Sequence, residues 1–401
     1  MAGRGSDSDS EDEEPTIAEE SVVTKYKSAG EIANRILRNI IEASTAGSTV
    51  CSLCQLGDKL ILEETSKVFK KEKAMKKGIA FPTCISVNNC VCHFSPLLSE
   101  AAVILKDGDI VKIDLGVHID GFIAVVGHTV VVGASKENKV TGRKADVIQA
   151  AHLASELAQR LVKAGNENFT VTDQIQKVAE AFQCKPVEGN LIICILYDCP
   201  SFTVLLYFAN FMLYVFCRRD HAKCEFSIYD VFAIDILMST GNGQAKEKDT
   251  RTTIFKRTEN TYNLKMKASR VFLNEVSNKY TSMPFTLRLF QDEKKAKMGL
   301  VECLKHGLVE PFSVFWEKEG EYVAQFKFTL LLMPNGGCRI TEGPFDPEVI
   351  QSEYSIQDEE IKALLATSTD EKVLQEKKEQ AMSEANKAIE ALLKKGSTSE
   401  K

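Results

Sequence analysis

Two aspartates stand inside apolar, strand-like runs, where a charged side chain needs a partner. Asp114 lies in Val-Lys-Ile-Asp-Leu-Gly, and Asp235 lies in Val-Phe-Ala-Ile-Asp-Ile-Leu. A buried carboxylate must be hydrogen-bonded, paired with a cation or bound to a metal. Together the two side chains could supply half of a divalent-metal site. A hydrolytic site with two metal ions needs several more ligands that converge on the same point.

The elements that must position these aspartates follow from the spacing of apolar residues. Helical spacing predicts helices over 15–46, about 52–77, about 141–164 and 171–182, and a mainly helical stretch over 264–305. Runs rich in strand-forming residues predict strands at 80–87, 110–115, 122–132, 225–237, 252–256, 312–316 and 322–333. Long strands mixed with long helices indicate an α/β or α+β protein.

The composition is that of a globular protein with no overall attraction to nucleic acid. The chain has 401 residues, of which 44% are hydrophobic and 26% charged. This length allows two or three domains, or one large α/β domain with additions. Because the net charge is −6, binding to nucleic acid would require a local basic patch. The 12 cysteines are scattered, which is typical of reduced intracellular thiols, and the pairs Cys51/Cys54 and Cys90/Cys92 are interpreted as buried thiols rather than zinc ligands.

Two groups of basic residues are candidates for such a patch. The first group lies at the end of the second predicted helix and comprises Lys67, Lys70, Lys71, Lys73, Lys76 and Lys77. The second group lies in and beside the mainly helical stretch and comprises Arg251, Lys256, Arg257, Lys265, Lys267, Arg270, Lys294, Lys295 and Lys297. Each pattern fits either a solvated helix face or a surface that binds phosphate groups.

Both ends of the chain are highly charged. The run from Ser6 to Glu14 is acidic and has no signal-peptide pattern, so residues 1–15 are predicted to be a disordered tail. Its serines, which include Ser6, are candidates for phosphorylation by an acid-directed kinase or are simply exposed to solvent. Residues 346–401 are predicted to be a charged tail with helical content, whose narrow apolar stripe would dock on a partner or on the body of the protein.

Several strings resemble the type 2 methionine aminopeptidase family. They are Ile-Ser-Val-Asn-Asn-Cys-Val-Cys-His-Phe at 85–94, Val-Lys-Ile-Asp-Leu-Gly-Val-His-Ile-Asp-Gly-Phe-Ile at 111–123, Val-Phe-Ala-Ile-Asp-Ile-Leu-Met-Ser-Thr-Gly-Asn-Gly at 231–243 and Tyr-Val-Ala-Gln-Phe-Lys-Phe-Thr at 322–329. The resemblance implies the pita-bread (creatinase/aminopeptidase) fold over residues 16–345, with two pseudo-symmetric halves around a dinuclear metal site. It also implies that residues 251–310 are the helical insertion of the type 2 branch.

The family's ligands are two Asp, one His and two Glu, and most of these positions are altered here. The first Asp matches Asp114, but the second falls on Val125, which cannot bind a metal. The first Glu falls on Asp235, and the last falls on Lys327, which places a cation where a metal would lie. The resemblance therefore implies a degenerate site with no metal, no cofactor and no catalytic residue, in which the two aspartates are hydrogen-bonded or paired with Lys327.

Of the family's two functional histidines, only one has a counterpart in this sequence. The substrate-side histidine matches His93, which is interpreted as structural in the absence of the carboxylates. The histidine ligand should belong to a Gly-His pair near residues 190–225, but no such pair occurs there, and His221 stands in Arg-Asp-His-Ala-Lys. The alternative, an active metal-dependent methionine aminopeptidase, is supported only by His93 and the two aspartates.

Longer strings are similar to the proliferation-associated, ErbB-receptor-binding protein family, the non-peptidase branch of the same fold. They are residues 79–96, Val-Thr-Gly-Arg-Lys-Ala-Asp-Val-Ile at 140–148, Met-Pro-Phe-Thr-Leu-Arg at 283–288 and residues 321–329. This resemblance implies binding to structured RNA, ribosomal particles and protein partners in growth signalling and transcription, without sequence-specific DNA binding. It implies regulation of cell growth, translation and transcription by a protein that moves between the cytoplasm, the nucleus and the nucleolus.

Two segments depart from that family. Its lysine-rich tail is replaced at 371–395 by alternating charges, which favour a salt-bridged helix and leave nucleolar targeting and RNA binding by the tail in doubt. Residues 191–217 are almost continuously apolar and replace a polar, histidine-bearing region. A misassigned or unspliced coding segment is the first interpretation, a buried apolar replacement the second and a membrane span the last, so no membrane partner is expected.

Overall fold

The computed structural model describes residues 15–188, 192–194 and 224–368. The predictions for the acidic N-terminal tail, for most of the apolar segment 191–217, for His221 and for the alternating charges at 371–395 lie outside the described residues. Among the residues described, no helix is both long enough and apolar enough to cross a membrane.

Three of the α-helices among the described residues begin where a side chain satisfies a free backbone N–H group. Thr49, Asp292 and Asp358 each accept such a hydrogen bond at the first turn of a helix. The α-helices are α1 (Glu20–Ala43), α2 (Val50–Lys67), α3 (Gly142–Leu161), α4 (Asn168–Ala181), α5 (Lys267–Lys279), α6 (Glu293–Lys305) and α7 (Glu359–Ala366), with a 3-10 turn at Leu287–Leu289.

One large sheet organises the described residues. Its strands are β1 (Lys77–Val87), β3 (Ile110–Ile119), β4 (Phe122–Val131), β6 (Lys185–Pro186), β7 (Ile192–Cys194), β8 (Val231–Ser239), β14 (Val323–Met333) and β15 (Gly336–Arg339). Their order is β1-β3-β4-β14-β8-β6, with β15 beside β14 and β7 beside β8. The short strands are β2 (Cys90–Cys92), β5 (Val140–Thr141), β9 (Lys246–Glu247), β10 (Ile254–Arg257), β11 (Phe285–Thr286), β12 (Val309–Pro311), β13 (Phe315–Trp316) and β16 (Ile350–Gln351).

The sheet divides into two halves, each covered by two helices. In the first half, α1 and α2 bury their apolar faces on β1, β3 and β4. In the second half, α3 and α4 pack on β8 and β14. The predicted pair of pseudo-symmetric halves is therefore confirmed, and the halves meet where β4 lies beside β14.

Side chains complete the junction between the two halves. Only Gly127 and Lys327 face each other as a regular backbone pair of β4 and β14. On one side of this pair, the Thr129 hydroxyl bonds both the N–H and the carbonyl of Gln325, at 2.7 Å each. On the other side, the Thr329 hydroxyl accepts from the Val125 N–H at 2.9 Å and donates to its carbonyl at 3.1 Å. Threonine hydroxyls thus replace ladder hydrogen bonds symmetrically around the centre of the sheet.

The helical insertion predicted at 251–310 has a small apolar core of its own. Residues of β10, α5, β11, α6 and β12 form this core. A buried ion pair fastens the insertion to the first half, because Arg288 Nη2 lies 2.6 Å from Asp58 Oδ2 and both side chains are almost fully buried. Arg288 also donates to Ser95 Oγ and to the carbonyl of Pro96.

Three predicted elements differ from those observed. The second helix ends at Lys67 rather than near Lys77, because the chain turns at Val68 and Phe69, which pack against the first-half core. The stretch 264–305 is two helices separated by β11 and a 3-10 turn, not one helical run. The strand predicted at 225–237 begins only at Val231, since Asp230 closes a turn by accepting from the Ser227 N–H.

The region predicted as the C-terminal tail begins with packed structure. Ile356 and Ile361 are buried in the core of the second half. Strand β16 pairs in parallel with β5. Up to the end of α7, this region is part of the body of the protein.

Candidate functional site

The strand register places the predicted site residues in one row across the sheet. Asp114 of β3 faces Gly127 of β4, Gly127 faces Lys327 of β14, and Lys327 faces Asp235 of β8. Successive residues of a strand point to opposite faces, so residues that pair in register share a face. The even-numbered residues of β14, such as Phe326 and Phe328, join the helix-covered core. Lys327 and its row therefore lie on the face away from α3 and α4.

Lys327 connects the two aspartates. Its Nζ lies 3.1 Å from Asp114 Oδ2 and 3.5 Å from Asp235 Oδ2, and all three residues are buried. Lys327 must reach across β4 to meet Asp114, and Gly127 leaves that path open. A Cβ atom at Gly127 would lie 2.8 Å from the Cβ of Lys327, which is too close for any other residue without a shift of the strands.

The two carboxylates hold Lys327 in its charged form. Burial acts to lower the pKa of Lys327, but the charges of Asp114 and Asp235 outweigh it and raise the pKa above the usual lysine value. Burial raises the pKa of Asp235, although the ammonium of Lys327 opposes the rise. The cluster is thus an internal ion triad in which a lysine ammonium lies between two carboxylates.

Neutral groups complete the surroundings of the triad. Gln325 Nε2 donates to Asp235 Oδ1 at 2.8 Å. The ring of Phe81 lies 5.4 Å from Lys327 Nζ, within the range of a cation–π contact. Cys84 lies beside Asp114, and burial raises the pKa of its thiol well above the usual value. None of these groups adds a carboxylate or a reactive thiolate.

His93 packs among aromatic rings in this part of the sheet. Its Nδ1 lies 3.0 Å from the carbonyl oxygen of Ser313, and its ring packs edge-on against Phe312 and at a tilt to Phe81. Burial lowers its pKa to about 4, so the imidazole is neutral near pH 7. It is not bonded to either aspartate in the described contacts.

The geometry leaves no place for a metal between the aspartates. The position between Asp114 and Asp235 is taken by the Lys327 ammonium, and a divalent cation there would be repelled by it. Val125, where the resemblance implies a further ligand, is buried and offers only a hydrocarbon side chain, while its backbone bonds Thr329. Within residues 15–188, 192–194 and 224–368, no group of three or more His, Cys, Asp or Glu side chains is arranged to hold a metal ion.

Sequence reasoning missed the residues that make the triad possible. Gly127 and Gln325 were not singled out, and neither were the threonines that join the halves. A glycine inside a strand often marks a close approach of another chain segment, so the Val-Gly-His sequence of β4 carried a usable signal. Gln325 carried none, because its partner lies on a strand 90 residues away.

The first basic group lies on a turn rather than on a helix face. Lys70, Lys71, Lys73 and Lys76 are exposed between α2 and β1. Lys67 pairs with Glu64 at 2.5 Å, and Lys77 Nζ is half-buried and donates to the Val68 carbonyl. Lys76 Nζ donates to Thr281 Oγ1 of the insertion at 3.0 Å. The other three lysines form no ion pair with described residues, and we call Lys70, Lys71 and Lys73 the basic turn.

The second basic group divides into paired and unpaired cations. Arg251, Lys295 and Lys297 form ion pairs with Glu100, Asp292 and Glu293 respectively. The remaining members form no ion pair with any described residue, although Arg270 donates to the backbone carbonyls of Leu264 and Lys265. These unpaired members are Lys256, Arg257, Lys265, Lys267, Arg270 and Lys294.

Comparisons with known proteins agree with this architecture. A sequence model of metallopeptidase family M24 matches residues 24–211. The chain is 47% identical over 372 residues to ErbB-3 binding protein 1 of Solanum tuberosum, covering 91% of this chain and 92% of that protein. It is 41% identical over 351 residues to proliferation-associated protein A of Dictyostelium discoideum, covering 86% and 88%. A solved structure described as a thermophilic Arx1 superposes with a TM-score of 0.78 and 28% identity, over 87% of this chain and 98% of that one.

Proposed function

The chain belongs to the family of ErbB-3-binding and proliferation-associated proteins, with the pita-bread fold of metallopeptidase family M24, and from this we propose that it is a catalytically inactive binding protein. Its partners in this proposal are other proteins, structured RNA and ribosomal particles, through which it regulates cell growth, translation and transcription. The family resemblance also leads us to propose that it acts in the cytoplasm and nucleus.

The single observation that carries the inactive part of the proposal is the Lys327 triad. A metallopeptidase needs carboxylates free to bind its metal ions, and the metal to generate its nucleophile. Here each aspartate already has a cationic partner within 3.5 Å. A divalent metal could bind both carboxylates only if the Lys327 ammonium moved away from them, and a buried ammonium without its partners is strongly disfavoured.

We expect the purified protein to bind no divalent cation at this cluster and to release no methionine from a peptide. Isothermal titration with Mn²⁺ and a methionine-release assay with the metal-loaded protein measure both. A variant combining Val125→Asp, Asp235→Glu and Lys327→Glu removes the ammonium and adds carboxylates, so it should bind Mn²⁺ more tightly than the natural protein. Methionine release by the natural protein would favour the alternative, an active metal-dependent aminopeptidase.

The RNA part of the proposal is supported by the basic turn. Three exposed lysines without carboxylate partners leave their charge available to phosphate groups, and each phosphate contact releases bound counterions. The neighbouring Lys76 donates to Thr281 of the insertion, the segment that carries the unpaired cations of the second basic group.

Charge reversal of the basic turn should weaken RNA binding and its dependence on salt. For Lys70→Glu, Lys71→Glu and Lys73→Glu combined, we expect the plot of log affinity against log salt to become less steep. The magnitude of its slope should decrease by about 2–3, at roughly 0.7–0.9 per lost phosphate contact. Filter binding of a structured RNA hairpin across a salt series measures this slope. A matched control is Lys59→Glu, Lys136→Glu and Lys362→Glu combined, since these lysines lie outside both basic groups and already pair with carboxylates. An unchanged slope in the turn variant would argue against RNA binding there.

A further inference from the structure

We infer that the outward face of α5 and α6 is a docking surface for an acidic protein segment that presents an aliphatic stripe. The inference rests on the proposed function, because it assigns a surface to the protein partners included there. It concerns the helical insertion, away from the Lys327 triad.

The two helices expose aliphatic side chains on the side opposite their core. Both bury one face in the core of the insertion, and they cross closely at Gly299, where an added Cβ would lie 2.6 Å from the Cβ of Phe272. On the opposite face, Val271 is 59% exposed, Met298 is 54% exposed and Val301 is 64% exposed.

The aliphatic residues of α6 form a stripe. Met298, Val301 and Leu304 follow one another at intervals of three residues, so they lie along one side of the helix. All three are exposed, and Val271 is an exposed aliphatic residue of the adjacent helix α5. Exposed aliphatic residues grouped in this way, with a polar rim, are typical of an interaction site rather than of ordinary surface.

The unpaired charges of these two helices have one sign. Each acidic residue of α5 and α6 is already occupied: Glu275 pairs with Lys279, Glu293 pairs with Lys297, and Glu302 is buried and accepts from the backbone N–H groups before α5. Four cations of α5 and α6 have no carboxylate partner among the described residues. They are Lys267, Arg270, Lys294 and Lys305.

These two properties together select the kind of partner. Acidic side chains would complement the unpaired cations, and aliphatic side chains would cover the stripe. RNA would satisfy the cations only, because bases stack on aromatic rings and guanidinium planes rather than on Val and Met. A second copy of the chain would bring two sets of unpaired cations together. A lipid surface would usually be met by Trp, Phe or Leu, whereas Leu304 is the one such residue on the stripe.

A synthetic peptide tests this surface directly. The probe is a helical peptide of about 16 residues, roughly four turns, with leucines along one face and glutamates beside them. A scrambled peptide of the same composition keeps the charge but loses the stripe. By fluorescence anisotropy with the full chain, we expect the helical peptide to bind at least about tenfold more tightly than the scrambled one.

Variants separate the aliphatic contribution from the charge. Met298→Gln with Val301→Gln keeps both helix propensity and charge, and should weaken peptide binding about tenfold. Lys294→Glu with Lys305→Glu should weaken it by a similar factor, most at low salt. The control is Leu62→Gln on α2, a leucine that is 49% exposed, and it should change nothing.

Several results would overturn the inference. Equal binding of the two peptides, or full binding by the glutamine pair, would mean that charge alone acts. The inference would also fail if the natural chain did not bind the helical peptide and the Met298→Gln, Val301→Gln variant lost a different interaction. That interaction would be binding of an RNA hairpin, self-association in sedimentation, or binding to phosphatidylserine vesicles. If the basic-turn variant lost RNA binding but still bound the peptide, the result would support the RNA part of the proposed function and leave the docking surface on α5 and α6 unaffected.

Discussion

Replacing Lys327 by methionine should reduce the free energy of unfolding by about 3–5 kcal/mol near pH 7, the usual cost of removing one partner from a buried ion pair. Methionine fills a similar volume but leaves Asp114 and Asp235 buried without their cation. The strands that carry these residues span both halves of the sheet, so the loss should affect the whole domain. Chemical denaturation followed by circular dichroism measures the effect.

The pH dependence of this loss has a definite sign. Burial raises the pKa of Asp235 in the folded protein, so any stability from this group is greatest below its unfolded pKa of about 3.9 and is lost as the pH rises through the folded pKa. Without Lys327 only the hydrogen bond from Gln325 still opposes the rise, so the pKa of Asp235 increases further. The variant should therefore lose less stability near about pH 5 than near about pH 8.

A second substitution distinguishes charge from packing at this site. Adding Asp114→Asn to Lys327→Met removes one of the two uncompensated carboxylates, so part of the stability should return. Equal stability of the Lys327→Met variant and the natural protein, or no recovery in the double variant, would show that the triad is not held together by its charges.

Replacing Arg288 by methionine should cost a similar amount, about 3–5 kcal/mol, and should loosen the helical insertion. The substitution leaves Asp58 buried without a cation, although its Oδ1 still accepts from the Thr83 N–H at 2.8 Å. It also removes the donor to Ser95 Oγ and the Pro96 carbonyl. Limited proteolysis should cut within residues 251–310 at lower protease concentrations, and denaturation should begin at lower urea.

Two controls define the cause of that effect. Asp58→Asn combined with Arg288→Met keeps an acceptor for Thr83 and leaves no uncompensated charge, so it should be more stable than Arg288→Met alone. Arg251→Met breaks an exposed ion pair with Glu100 and should change stability by less than about 1 kcal/mol. If Arg251→Met were as harmful as Arg288→Met, burial of the ion pair would not be the reason.

Much of the fold follows from local patterns. The strand around Asp114, the strand around Lys327 and the helix that follows residue 141 were predicted within a few residues, because their apolar spacing is strong. The prediction was wrong where tertiary packing overrides the pattern. At Val68 and Phe69 the chain turns onto the core and ends α2 early, so the basic turn is not part of a helix.

The amino-acid sequence reveals which chemical groups this protein carries, whereas their interactions depend on the tertiary structure. The residue types at Val125, Asp235 and Lys327 are enough to predict that a metal site of the family's kind is incomplete. Whether Lys327 reaches Asp114 depends on the register of three strands and on the absence of a side chain at Gly127. Asp114 and Lys327 are 213 residues apart, and no local pattern encodes a distance between strands so far apart in the chain. The contact exists because folding brings the two halves together, and burial then makes their opposite charges depend on each other.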